Sequence, residues 1–312
     1  MTPFLVVIPT YERCDLLDRT LRSLSECHLP PGLEKVIVAE NGTKAGADLV
    51  VQKYADRLPL VYQFTEKPNK SNALNEVLRK GTNEFILFFD DDVRIHPDTL
   101  LNYVKEVGDR TNGFFLCGRV RVDYEDEPPP EWMLDYFPPC VKGWHFNEEK
   151  CRMEVPDGLG ANWGAFATDM REAGGFDERV GPGSGAIGQE SDMMEKLLNR
   201  KIIGYYLPDC DVWHFVPKER CSPEWMLSRA YKINVGRAVR LAQDSFSVRA
   251  KRVLNSRMKL FGIRVLLGLV GKQLDSRKRF HYEYRKKCHS GFLEGMKVAG
   301  FEQSRADEKA GS

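Results

Sequence analysis

The chain has 312 residues, of which 42% are hydrophobic and 29% charged, and carries a net charge of +1. That composition is one of a folded protein with one large or two ordinary domains, and it excludes a fibrous or disordered chain. The near-neutral balance excludes a globally basic nucleic-acid surface but hides a polarity: the middle is acidic, whereas Lys218–Lys297 is rich in Lys and Arg and suits an anionic partner.

The eight cysteines are scattered, with no Cys-x-x-Cys pair and no histidine spacing for a zinc site, so they read as free thiols in a reducing compartment. Met1-Thr2-Pro3-Phe4 enters a strand without a basic region followed by a long apolar one, and no apolar run reaches the ~20 residues of a spanning helix. The expected location is cytoplasmic, with a peripheral position at the inner face of the plasma membrane left open.

Phe4 to Ile8 predicts a strand ended by Pro9, with Thr10-Tyr11-Glu12-Arg13 as its loop. Asp15 then caps a helix with Leu16, Leu17, Leu21 and Leu24 inward. Val36 to Ala39 is a second strand leading into Glu40-Asn41-Gly42-Thr43. Ala47 to Leu58 is a helix, Leu60 to Phe64 a third strand, and Asn69 to Asn75 opens a helix with Ala73, Leu74, Val77 and Leu78 inward. Phe85 to Phe89 is an apolar strand that runs into Asp90-Asp91-Asp92. Strand and helix alternate, which predicts a parallel sheet whose strand-end loops share one edge, the place where such sheets bind ligands. Three adjacent carboxylates there need a compensating cation, and a divalent hard metal carrying phosphates is the economical one.

A helix from Pro97 to Val107 and a strand from Phe114 to Val122 follow. Glu125 to Pro139 is acidic and proline-rich, with Trp132, Tyr136 and Phe137; a substrate-covering loop and a set of aromatics covering the core are both open readings. Asn162 and Trp163 sit among small residues. Gly181 to Gly188 is mobile or tightly turned. Gln189-Glu190-Ser191-Asp192 begins a helix, Ile202 to Leu207 is a strand, and His214 lies in a further apolar run, Val212 to Phe215. Pro223 to Leu241 and Arg249 to Gly271 are helical in pattern and mix aliphatics with Arg and Lys. They fit either an anionic membrane surface or a helical pair with its basic face solvated. Glu302 to Ser312 is expected to be a disordered tail.

The segments Val7 to Arg13, Val36 to Gly42, Asn69 to Asn75, Phe89 to Val93, Gly174 to Glu178 and Gln189 to Asp192 together resemble glycosyltransferase family 2 over roughly residues 4 to 216. The resemblance implies an α/β GT-A fold, a Rossmann-like mostly parallel sheet flanked by helices. It divides the chain into a catalytic domain at 1–216, with a nucleotide-sugar half (1–123) and an acceptor half (124–216), and a helical appendage at 217–301. The implied reaction is inverting transfer of a sugar from a nucleotide diphosphate donor, most often a UDP-sugar, to a hydroxyl of a glycan or lipid-linked acceptor in polysaccharide or glycolipid biosynthesis.

By resemblance, Mn2+ or Mg2+ falls to Asp92 and Asp90, and to His214 if that residue is a ligand rather than a packed core histidine. Pro9, Thr10, Tyr11, Glu12, Arg13, Glu40, Asn41, Lys70, Asn72, Asp90 and Asp91 become donor-side candidates, and Asn162 and Trp163 acceptor-side ones. An inverting reaction needs a base opposite the leaving group, for which Glu190 is preferred over Asp192. Glu40 and Gln189 stand where the family has other residues. A sugar nucleotidyltransferase is the competing enzyme, against which the loop after the first strand lacks a glycine-rich phosphate cradle. A non-catalytic nucleotide-sugar or membrane-binding scaffold is the competing non-enzyme.

Overall fold

The computed structural model describes residues 2–81, 84–183, 188–241 and 245–310. Its first half alternates as the sequence predicts: β1 (Phe4–Thr10), α1 (Cys14–Ser25), β2 (Leu33–Asn41), α2 (Ala47–Lys53), β3 (Leu60–Thr65), α3 (Lys70–Lys80) and β4 (Phe85–Phe89). β1 and β4 are buried along their whole length, which is why they read as unbroken apolar runs rather than alternating ones. α3 starts where the Asn69 side chain accepts from the Asn72 N–H, an N-cap that satisfies one of the free donors of the first turn.

The second half is less regular. It runs β5 (Val93–Ile95), α4 (Thr99–Val107), β6 (Phe114–Tyr124), α5 (Glu131–Leu134), α6 (Pro139–Lys142), β7 (Cys151–Met153), β8 (Asn162–Phe166), α7 (Ala167–Glu172), α8 (Gln189–Asn199) and β9 (Ile203–Val216). The nine described strands form one sheet in the order β3-β2-β1-β4-β8-β6-β9-β5, with β7 paired to β9. β3, β2, β1 and β4 are parallel, whereas β8 runs antiparallel between β4 and β6. β5 pairs antiparallel with β9, so that Val93 stands opposite His214.

Several elements differ from expectation, β7 and the short helices α5, α6 and α7 among them. β8 and β5 are strands that the sequence does not predict, and β9 is one strand of 14 residues rather than two runs. β9 stays continuous because its pairing with β6 shifts register where Gly118 and Val120 face Leu207 and Val212, so the extra residues around Pro208-Asp209 bulge out without breaking the strand. Gly118 is obligatory there, since a Cβ would stand 2.3 Å from Asn162 Nδ2 and 2.4 Å from the Cys210 carbonyl oxygen.

The chain divides into two compact units. The first, Met1–Asp126, Pro138–Ser184 and Gly188–Pro217, holds the sheet. Its core is rich in aromatic edges: Phe166 meets Phe85 at 5.2 Å and Phe114 at 4.9 Å between ring centroids, both near perpendicular. The second unit takes in Glu127–Phe137 and the chain from Lys218 on, with α9 (Pro223–Arg240), α10 (Phe246–Val270) and α11 (Ser276–Ala310). Gly291 and Gly295 let α11 approach α9, because a Cβ on either would meet the Tyr231 or Val235 carbonyl oxygen within 2.4 Å. The aromatic segment read as a substrate cover or a cover of the sheet's core belongs to this helical unit. Trp132 and Tyr136 pack edge-on against Phe280, and Tyr136 against Tyr284 as well. α11 also runs through most of the stretch expected to be a disordered tail, whose residues 311–312 lie outside the described residues, as do 184–187 of the glycine-rich stretch.

Candidate active site

The site grows from the pairing of β1 with β4. Because these strands are parallel neighbours, with Val7 opposite Phe88, their C-terminal ends put Thr10 and Arg13 beside Asp90-Asp91-Asp92. β9 adds His214 from the other side, α3 adds Lys70 and α8 adds Glu190. All lie in the first unit.

The three aspartates have three different environments. Asp91 is 1% exposed and turned inward: it accepts from Thr10 Oγ1 at 2.7 Å and from Arg13 Nε at 3.2 Å, and Arg13 Nη2 holds its other oxygen. Burial and the neighbouring Asp92 push its carboxyl upward, against the pull of Arg13 and Thr10. Expected as a donor-side acid, Asp91 spends both carboxylate oxygens on Thr10 and Arg13 and serves as a counterion within the fold. Arg13, expected to face the donor, is spent on the same pair and also donates from Nη1 to Asp92 Oδ2 at 3.0 Å. Burial lowers the Arg13 pKa, but Asp91, Asp92 and Asp90 leave it raised overall, so the guanidinium stays charged. Asp90 accepts from Lys70 Nζ at 2.5 Å. Loss of solvent works against the Lys70 charge, and Asp90, Glu190 and Asp91 together more than restore it.

Three carboxylates against the two cations Arg13 and Lys70 leave one net negative charge, so much of the compensation the sequence assigns to a metal is built into the chain. What remains is nevertheless a plausible ligand set. One ligand atom each from Asp90, Asp92 and His214 lie within 4.8 Å of one another, with His214 Nε2 at 3.2 Å from Asp92 Oδ1. Two carboxylates and an imidazole fit Mn2+ well and Mg2+ less well. His214 is 4% exposed, and its Nδ1 has no hydrogen-bond partner among the described residues. Of the two readings of this residue, the geometry places it at the acids and not in the apolar core.

Glu190 stands in the first turn of α8 and lines a small pocket with Lys70, Gly160, Trp163, Phe176 and Gln189. Gly160 makes room for it, as a Cβ there would lie 3.2 Å from the Glu190 carboxyl carbon. Asp192 points elsewhere and pairs with Lys196 at 2.8 Å one turn on.

Several other predicted residues are structural. Glu40 is fully buried, accepting from Tyr62 Oη at 2.5 Å and from the Ala45 N–H at 2.9 Å, so it does not reach a base edge. Asn41 donates to the Thr10 carbonyl at 2.9 Å and shapes the loop. Asn162 is fully buried; it accepts from Tyr103 Oη and donates to the Arg119 and Cys210 carbonyls, tying β8 to β6 and β9 at the register shift. It is no acceptor platform. Trp163 is 2% exposed, stacked on Phe88 at 5.0 Å, and contributes to the pocket wall while belonging to the core. Tyr11 is 45% exposed above Gly42 and Glu12 is exposed with φ 52°, whereas Pro9 and Thr10 are buried; Asn72 is half-buried on α3.

One group of residues escaped the sequence reading. Ser71 donates to the Val180 carbonyl at 2.7 Å, Asn69 to the Glu178 carbonyl at 2.8 Å, and Asn75 both donates to and accepts from the Phe176 backbone. These side chains of the Asn69 to Asn75 motif grip the segment that leads toward α8. The available signal was a set of small polar residues on an otherwise inward-facing helix turn.

A family model described as Glycosyl transferase family 2 matches residues 5–172, which includes the three aspartates and stops short of Glu190 and His214. Succinoglycan biosynthesis protein ExoM of Rhizobium meliloti (strain 1021) is 26% identical over 252 residues, covering 77% of this chain and 75% of that protein. Validoxylamine A glucosyltransferase of Streptomyces hygroscopicus subsp. limoneus is 36% identical over 104 residues, or 33% of this chain and 22% of that one. Among solved structures, mannosyltransferase PcManGT from Pyrobaculum calidifontis in complex with GDP-Man and Mn2+ has a TM-score of 0.60 at 19% identity, covering 97% of this chain and 88% of that one. S. aureus TarS 1-349 in complex with UDP-GlcNAc has a TM-score of 0.51 at 17% identity, covering 97% and 92%. At such identities the structural likeness establishes the GT-A fold alone.

Proposed function

The chain belongs to glycosyl transferase family 2 and is a transferase enzyme, and on that premise we propose that it moves a sugar from a nucleotide diphosphate donor to a glycan or lipid-linked hydroxyl with inversion. A UDP-sugar is the proposed donor and polysaccharide assembly the proposed setting, the latter supported by the likeness to ExoM. The observation that carries the reading is the placement of Asp90, Asp92 and His214 around one point, with Lys70 linking that point to the pocket of Glu190.

Asp90, Asp92 and His214 would hold a divalent ion, which when bound supplies Lewis-acid neutralisation of the charge developing on the leaving diphosphate. Lys70 contributes a permanent cation next to the phosphates. Arg13 fixes the Asp92 carboxylate by one oxygen, so that the other is aimed at His214. Tyr11, exposed at the tip of the first loop, is the surface on which the base rests, and the backbone of Pro9 and Thr10 carries it. Glu190 removes the acceptor proton as the hydroxyl attacks.

Donor binding tests this directly. A UDP-sugar with Mn2+ is expected to raise the melting temperature of the wild-type protein, and chelation is expected to reverse the shift. Asp92→Asn and His214→Ala should each lose the metal-dependent part. A metal-dependent shift of wild-type size in both variants would sink the ligand assignment.

A further inference from the structure

We propose that α10 lies in the headgroup region of an anionic phospholipid bilayer, inserting a stripe of apolar side chains and resting its cationic flanks on the lipid phosphates. α10 carries two apolar stripes. The inner one includes Leu260 beside Ser256, both buried. The outer one consists of Leu254, Met258, Phe261, Val265 and Leu269, which are 59%, 60%, 72%, 43% and 76% exposed. Their spacing of four, three, four and four residues puts them on one face over about 22 Å of helix. A helix whose only task is to pack on its neighbours has no physical reason to expose a second apolar face, and contiguous patches of this kind mark interaction sites.

The charges choose the occupant. From Ser245 to Leu274 there is no Asp or Glu, against seven Lys and Arg. Arg257 and Arg264, each one residue before a member of the outer stripe, are exposed, as are Lys251, Lys259 and Lys272. A second copy of the chain docked through this face would set cation against cation, whereas an anionic bilayer satisfies both the stripe and its flanks. No helix among the described residues is long and apolar enough to cross a membrane, so the geometry is one of lying on the surface. The inference uses only the second unit and does not depend on the sugar-transfer reading.

The test is flotation of the full chain with vesicles of phosphatidylcholine, with and without phosphatidylglycerol. Wild-type protein is expected to float with the anionic vesicles only, and less at high salt. Arg257→Gln with Arg264→Gln should lower the partition coefficient about thirtyfold, and Phe261→Ser with Leu269→Ser more than about tenfold. Because all four side chains are exposed, both double variants should keep the wild-type circular dichroism and melting temperature, and either pair suffices. Absence of flotation at low salt, flotation unchanged in both pairs, or a lipid-independent dimer abolished by Phe261→Ser with Leu269→Ser would each overturn the proposal.

Discussion

Arg13 clasps Asp91 from two sides, Nε on one carboxylate oxygen and Nη2 on the other, while Nη1 reaches Asp92. The pair is formed between β1 and β4 loops 78 residues apart, and it holds two strand ends in the register the site requires.

Removing the guanidinium strands a buried charge. Arg13→Met is expected to cost about 2 kcal/mol of stability, less than a fully buried pair because the Arg13 side chain remains about one-third exposed. Adding Asp91→Asn should recover part of the loss, since the orphaned carboxylate is then gone. Urea unfolding of the two single variants and the double variant measures this; additive losses would mean the pair is not coupled.

The geometry separates two acids that the sequence leaves as neighbours. Glu190 faces the pocket with Lys70, and Asp192 is paired to Lys196. Glu190→Gln should lower turnover about a thousandfold with donor binding intact, and Asp192→Asn should cost only about 1 kcal/mol of stability, from a half-buried helix pair, with turnover kept. Steady-state rates with donor titrations decide between them, and a reversal of the two effects would move the base to Asp192.

Much of this site is legible from residues alone, and the rest is not for identifiable reasons. Phe85 to Asp92 announces a buried strand ending in an acidic cluster, because apolar run and charges are adjacent in sequence. The Arg13–Asp91 pair is invisible until β1 is known to lie beside β4, so the sequence offers Arg13 as a donor-side candidate and hides its part as a counterion. Asn162-Trp163-Gly164-Ala165-Phe166 is buried on both faces and flanked by small residues, so neither alternation nor punctuation marks it as β8. Trp132 and Tyr136 look like a cover because prolines surround them, and only the position of Phe280, far along the chain, explains where they go.

Asp211 makes acid stability testable. It accepts from Arg119 Nε at 2.6 Å and Nη2 at 2.8 Å. Burial raises its pKa, but hydrogen bonds from Arg119 and Arg121 outweigh this and hold it below the usual carboxylate value. A depressed folded-state pKa means a contribution that is complete above the unfolded-state value near ~4 and disappears as pH falls through the folded-state one. Asp211→Asn should therefore cost about 2 kcal/mol at neutral pH and progressively less below about pH 4. A gap that stays constant down to the acid limit would show that the carboxylate charge is not what stabilises the pair.

Asn75 ties α3 to the segment that leads toward Glu190. Its Nδ2 donates to the Phe176 carbonyl at 2.9 Å and its Oδ1 accepts from the Phe176 N–H at 2.8 Å, so one side chain replaces a strand partner for that residue. Gly175 permits the approach, because a Cβ there would stand 2.8 Å from Asn75 Oδ1 and the residue has φ 72°. Ser71, one helical turn earlier, holds Val180, and Lys70, just before it, holds Asp90. The start of α3 thus bonds both to Asp90 and to the segment leading toward Glu190. Asn75→Ala leaves two backbone groups without their side-chain partner and should destabilise by about 2 kcal/mol. If the clamp also positions the base, kcat should fall while the donor Kd stays near wild type, and Gly175→Ala should reproduce that split. Loss of stability in both variants with kcat unchanged would show that the clamp supports the fold without aligning Glu190.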